Sequence, residues 1–163
     1  MAVSSLFALP PKPTRQSAST PAGVHPIGRV VYSREATIMI VGTGIDLIEV
    51  IRIAKAMERY GDRFLNRIYT PDEIRYCNSK ANRIERFAAR FAAKEAAMKA
   101  LGTGLGRGVS WQQMQVGHAL GGRPTILFTG EAARFAAKLE CKQASLSLSH
   151  TSEHAIAQVI LEN

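Results

Sequence analysis

The sequence predicts an α+β fold, an antiparallel sheet packed with helices, on three observations. Helix-period and short β-branched segments alternate irregularly, and a Gly121-Gly122 pair joins two strand-like runs as a hairpin. One long alanine-rich stretch, Ile84 to Leu101, has the period of a helix able to cover a sheet. At 163 residues the chain suits a single ordered domain, large enough to form a core without disulfides or structural metal.

The elements follow in chain order. Residues 1–38 hold five of the seven prolines, several Ser and Thr, four basic residues and one acid, with no sustained period. Such a composition buries too little apolar surface to offset chain entropy, so a disordered N-terminal extension is expected. A transit peptide, an upstream in-frame extension with Met39 as the working start, and a basic tail are its three explanations; Met39 directly precedes the first strand, which favours the second. From Ile40 to Leu47 the chain is β-branched and glycine-punctuated, a buried strand, leading into a helix from about Glu49 to Tyr60. Thr70-Pro71-Asp72-Glu73 reads as a capping box with proline in the first turn, opening a short helix to about Ser79. Gly102 ends the long helix as a C-terminal cap. Strands are expected over Val109 to Val116 and Pro124 to Phe128, then a helix from Gly130 to Glu140. Two closing strands, Ala144 to Ser149 and His154 to Leu161, complete residues 39–163 as one domain.

Composition narrows the function. Hydrophobic residues are 46% and charged residues 21%, as in globular proteins, and the most apolar stretch carries Asp46 and Glu49, which excludes it as a membrane span. Two cysteines, Cys77 and Cys141, make no disulfide framework and no zinc pattern, and read as reduced thiols in a reducing, cytoplasmic setting. The net charge is +8, and Val50 to Arg107 holds 13 basic against 6 acidic side chains. A basic face there attracts polyanions: nucleic acid, phosphorylated cofactors or an acidic protein. A solvated helical face explains the same charge.

On a helical wheel Arg86, Arg90 and Lys94 share a stripe, with Phe87, Phe91 and Met98 beside it as core. Glu95 and Lys99 come next, and Ala89, Ala93, Ala96 and Ala100 fill the far side, where another element can approach closely. Glu95 and Lys99 also read as a plain i,i+4 surface pair. Asp46 closes the first strand and reads either as a cap for the next helix or as one of two carboxylates holding magnesium, with Glu95 as the second. Neither glycine cluster is a dinucleotide or Walker site: Gly42-Thr43-Gly44 lacks the third glycine, and the loop from Gly102 to Gly108 follows a helix instead of opening one. His150 reads as a turn residue on its own, and no GxSxG elbow supports hydrolase chemistry.

Together these pieces resemble one family, the small bacterial holo-acyl-carrier-protein synthases, which are 4'-phosphopantetheinyl transferases. The resemblance rests on Gly44-Ile45-Asp46-Leu47 followed by Arg52; Phe64 to Thr70 followed by Glu73; and Arg90-Phe91-Ala92-Ala93-Lys94-Glu95-Ala96 with Lys99-Ala100. The Gly102-Thr103-Gly104 turn and Ser147-Leu148-Ser149-His150-Thr151 complete it. It runs from about Met39 to Leu161 and excludes the first 38 residues. It implies the 4'-phosphopantetheinyl transferase fold and a reaction of fatty acid biosynthesis, in which the phosphopantetheine arm of coenzyme A moves to a serine of apo-acyl carrier protein. Asp46 and Glu95 then hold magnesium and Glu95 and Lys99 are catalytic, the general base being Glu95, Lys99 or a metal-bound water. Arg90, Lys94 and His150 meet coenzyme A phosphates. Arg52, Lys55, Arg59 and Arg63 form the docking face for the acidic carrier. The resemblance also implies a homotrimer with active sites between subunits. A basic nucleic-acid-binding module is the competing reading; it lacks interleaved exposed aromatics and any reader motif. Neither nucleic acid nor membrane is an expected partner.

Overall fold

The structure, a computed structural model, describes residues 38–163; apart from Ile38, the extension expected over residues 1–38 lies outside them. The elements run β1 (Ile40–Glu49), α1 (Val50–Ile68), α2 (Pro71–Asn78), α3 (Arg83–Ala100), β2 (Met114–His118), β3 (Pro124–Phe128), α4 (Gly130–Lys138), β4 (Gln143–His150) and β5 (His154–Glu162). The α+β class holds. The strands form two antiparallel sheets instead of one: a three-stranded sheet ordered β1-β5-β4 and the separate β2-β3 hairpin. The hairpin turns through Gly121 and Gly122, both at positive φ (89° and 84°), a region that a side chain disfavours.

The alanine side of α3 does what its small residues permit. It lies across β1 and β5, with Ala89, Ala93, Ala96 and Ala100 buried against the inner sheet residues Ala155, Ala157, Val159 and Leu161. The approach is so close that a Cβ on Gly44 would sit 1.9 Å from the Ala96 carbonyl oxygen, and one on Gly42 would sit 2.3 Å from that of Ala100. Gly42-Thr43-Gly44 is therefore a packing motif. It fixes the register of β1 against α3 and so sets which side chains of the two elements meet.

Two elements differ from their expected bounds, each for a visible reason. Helix α1 does not stop at Tyr60: Gly61 breaks it (φ 51°, ψ −137°), and a second helical stretch continues to Ile68, burying Leu65 and Ile68. The strand expected from Val109 begins only at Met114. Ser110 and Gln113 cap a 3-10 turn over Trp111–Gln113 that turns Trp111 inward onto Phe91, ring centroids 4.8 Å apart. The capping box at Thr70 forms as expected: Thr70 Oγ1 accepts from the Glu73 amide and Glu73 accepts from the Thr70 amide at 2.7 Å.

Candidate active site

Along β1 side chains alternate between faces, so Asp46 shares the inner face with Gly44 and Ile48, towards α3. At the α3 end of this contact, Lys99 donates to Asp46 Oδ1 at 2.8 Å and to the Ile45 carbonyl at 2.8 Å. Glu95 lies one turn earlier on the same helix. Its carboxyl is pushed above the ordinary glutamate range by burial first, then by the Asp46 carboxylate, with Lys99 opposing. Two carboxylates and one ammonium thus converge where β1 crosses α3. Thr43, Gly44 and Ile45 line an open cleft beside Lys99.

The donor set fits a hard divalent cation. Among the described residues no group of three His, Cys, Asp or Glu side chains gathers as a metal cage, so the protein offers two carboxylates at most. That matches magnesium, which keeps several waters and takes substrate phosphate oxygens, better than zinc, which needs three or four protein ligands.

On the other side of α3 lies a second charged group of residues. Arg90 is only 3% exposed, its guanidinium lies over the Tyr76 ring at 4.2 Å, and its Nε is buried without a partner. Nη1 reaches only the Arg86 carbonyl, at 3.4 Å. Lys80 stands 5.1 Å from the same ring, and the His118 ring stacks on it at 4.8 Å. Burial, then Arg90, Arg86 and Lys80, hold the His118 imidazole below the ordinary range, as a positive field does. The buried guanidinium thus keeps one donor without a partner amid this field. Of these residues only Arg90 is expected from the sequence in a binding role. Arg86 was visible on the same stripe, whereas Lys80 and His118 lie at a helix end and a strand end with no local signal.

Lys94 departs from its expected place. It is 0% exposed, its ammonium pairs with Glu73 Oε2 at 2.7 Å, and its remaining protons go to the Ile68 and Trp111 carbonyls at 2.9 and 3.0 Å. With all three donors satisfied in the core, it has none for a coenzyme A phosphate. The wheel placed it on a stripe with Arg90 but says nothing of depth, and here α2 and β2 cover the stripe.

His150 sits at the last paired position of β4, opposite Ala155, while Ala155 faces Ile48 on β1. Thr151 closes the turn after it, its hydroxyl accepting from the amides of Glu153 and His154. His150 is thus two strands from β1, about 10 Å across the sheet, and the fold does not bring it to Asp46 within one chain. On α1, Arg52, Lys55 and Arg59 are exposed on one stripe, and Arg63 follows the Gly61 break. No ion pair among the described residues engages any of the four. Arg63 and Arg67 rim an adjoining groove floored by Phe64, Ile68 and Trp111.

A family model described as the 4'-phosphopantetheinyl transferase superfamily matches residues 42–159, which include every site residue named above. The chain belongs to this superfamily. The transferase is 63% identical to the holo-acyl-carrier-protein synthase of Koribacter versatilis over 125 residues, which is 77% of this chain and 100% of that protein. It is 58% identical, over the same shares, to the synthase of Solibacter usitatus. Among solved structures, the synthase of Neisseria meningitidis superposes on the transferase with a TM-score of 0.71 at 32% identity, covering 77% of this chain and 100% of that one. The Helicobacter pylori synthase, solved in complex with coenzyme A, gives 0.65 at 32% identity, covering 73% and 98%. These matches also bear out the α+β transferase fold expected from the sequence.

Proposed function

We propose that this transferase moves the 4'-phosphopantetheine group of coenzyme A onto a serine of apo-acyl carrier protein, leaving adenosine 3',5'-bisphosphate. The observation that carries the reading is the meeting of Asp46, Glu95 and Lys99 where β1 crosses α3. In the reaction the serine oxygen bonds to the phosphorus bearing the pantetheine arm. The bond from that phosphorus to the bridging oxygen breaks, and the bridging oxygen leaves on the bisphosphate. Asp46 and Glu95 would hold magnesium, which supplies positive charge to the phosphate oxygens as negative charge grows on the leaving group. Lys99, at the open edge of the cleft, adds a second positive charge there. A carboxylate oxygen of Glu95 takes the serine proton. Arg90, with Tyr76, Arg86, Lys80 and His118 around it, receives a phosphate of the adenosine end.

The carrier, an acidic protein, meets Arg52, Lys55, Arg59 and Arg63. Attraction between unlike faces speeds encounter and sets orientation. A homotrimer completes the site. The outer face of the β1-β5-β4 sheet exposes Ile45 (55%), Leu47 (60%) and Ile156 (38%) side by side, an apolar surface that a second copy would cover. A neighbouring subunit would also supply the His150 that the chain does not bring to its own Asp46. The free thiols of Cys77 and Cys141 suit a reducing cytoplasm, and the product serves fatty acid biosynthesis. The nucleic-acid reading loses its ground, because Arg90 and Lys94, two of the cations it counted, are inside the fold.

Purified protein incubated with apo-carrier protein, coenzyme A and magnesium should raise the carrier's mass by one phosphopantetheinyl group, with release of adenosine 3',5'-bisphosphate. No mass gain with carrier proteins from several sources would refute the proposal.

A further inference from the structure

The transfer reaction as proposed uses Glu95 and Arg90 but leaves unexplained the most deeply buried charges of the fold. Glu73 and Lys94 have side chains with 0% exposure and pair at 2.7 Å. Their hydrogen bonds are complete on both sides. Lys94 donates to Glu73, to the Ile68 carbonyl and to the Trp111 carbonyl. Glu73 Oε2 also accepts from the Thr70 amide, and Oε1 from the Val116 amide at 2.9 Å. One ion pair therefore ties the end of α1, the first turn of α2, the 3-10 turn and β2 to a single point on α3.

Stability alone is a weak reason for such a pair, because a buried ion pair roughly breaks even against apolar side chains of the same volume. Its position suggests another use. Lys94 follows Arg90 by one helical turn and directly precedes Glu95. Glu73 opens the helix that carries Tyr76, and the Val116 amide that it holds lies in the strand that ends in His118. Tyr76 and His118 surround the Arg90 guanidinium. Without the clamp, α2 and β2 could slide on α3, and the groups around Arg90 would lose their spacing from one another and from Glu95.

We infer that Glu73 and Lys94 are positioning residues: their buried ion pair locks α2 and β2 onto α3 and so holds the anion site around Arg90 at a fixed offset from the carboxylates of Asp46 and Glu95. The inference rests on the transfer reading only in taking that anion to be the phosphorylated adenosine end of coenzyme A.

The test is the double variant Glu73→Gln/Lys94→Met, which removes both charges together, with Glu73→Gln alone as the nearly isosteric second variant should the double fail to fold. Calorimetric titration with adenosine 3',5'-bisphosphate, corrected for the folded fraction by circular dichroism, should show binding weakened about ten-fold. In steady-state assays the KM for coenzyme A should rise while the KM for carrier protein stays put. A merely structural role would reduce the amount of folded enzyme and leave the affinity of each folded molecule unchanged. Wild-type affinity in the folded variant overturns the inference. Failure of the wild-type protein itself to bind the bisphosphate overturns the transfer reading instead, so the two failures are separable.

Discussion

Glu95 sits where a second carboxylate and partial burial both oppose its charge, and its folded carboxyl titrates above its ordinary 4.5. An acid whose pKa is raised by folding binds protons more tightly in the folded state, so ionised Glu95 works against folding once pH exceeds that raised value. Below about 4.5 both states are protonated and the penalty disappears. Glu95→Gln should therefore raise the melting temperature at neutral pH in chelator-treated buffer, by roughly 2 °C. The gain should shrink as pH falls towards 4, and thermal melts across that range check it; an unchanged or lower melting temperature at pH 7 contradicts it. Such a cost is characteristic of a group kept for chemistry. At the level of single residues the sequence was informative about faces and silent about depth. A strand end and an i,i+4 pair place Asp46, Glu95 and Lys99 on faces, and the family resemblance, not those patterns, gives them roles. Lys94 could not be placed, because its partner Glu73 is on another helix, and the capping box that revealed Glu73 explained only one of its carboxylate oxygens.

The crossing of β1 over α3 depends on the absence of two side chains. Gly44→Ala would drive a methyl group into the Ala96 carbonyl, a rigid helix backbone that cannot rotate away. The strand must lift, at a cost of about 3 kcal/mol, and Asp46 moves off Glu95 with it. Denaturant melts and turnover should both fall, turnover more than the folded fraction explains. Wild-type activity in a folded Gly44→Ala protein would show that the close approach does not position the carboxylates. Helix α1 bears the proposed carrier-docking face. Arg52→Glu reverses one charge on an exposed stripe of α1, a different helix from the one that bears Arg90, so the KM for carrier protein should rise several-fold and lose much of its salt dependence, with coenzyme A binding unchanged. Arg90→Ala should do the reverse. Equal loss of coenzyme A affinity in both variants would merge the two surfaces into one. The order of elements was legible because periodicity and capping are local. The split into two sheets was not, since strand pairing is a long-range choice, and neither was the 3-10 turn at Trp111, whose apolar residues mimic the start of a strand.

For the molecule as a whole, the placement of His150 two strands from β1 makes subunit exchange informative. Glu95→Gln and His150→Ala should each be nearly inactive alone. Mixed and refolded together they should regain activity, because some sites then combine an intact Glu95 from one subunit with an intact His150 from another. A mixture no more active than its components, although native mass spectrometry shows mixed trimers, would place both residues in one chain's site. The resemblance supplied this arrangement; periodicity could not, since an interface between copies leaves only an exposed apolar face in the single chain. Asp46 and Glu95 are proposed to act together on one divalent cation beside the coenzyme A phosphates. Calorimetric titration of magnesium into the coenzyme A-saturated protein, repeated for Asp46→Asn, Glu95→Gln and the double variant, tests it most directly. One site per chain in the wild type, weakened at least ten-fold by either substitution and little further by both, is the predicted result. Wild-type magnesium affinity in either single variant would contradict it.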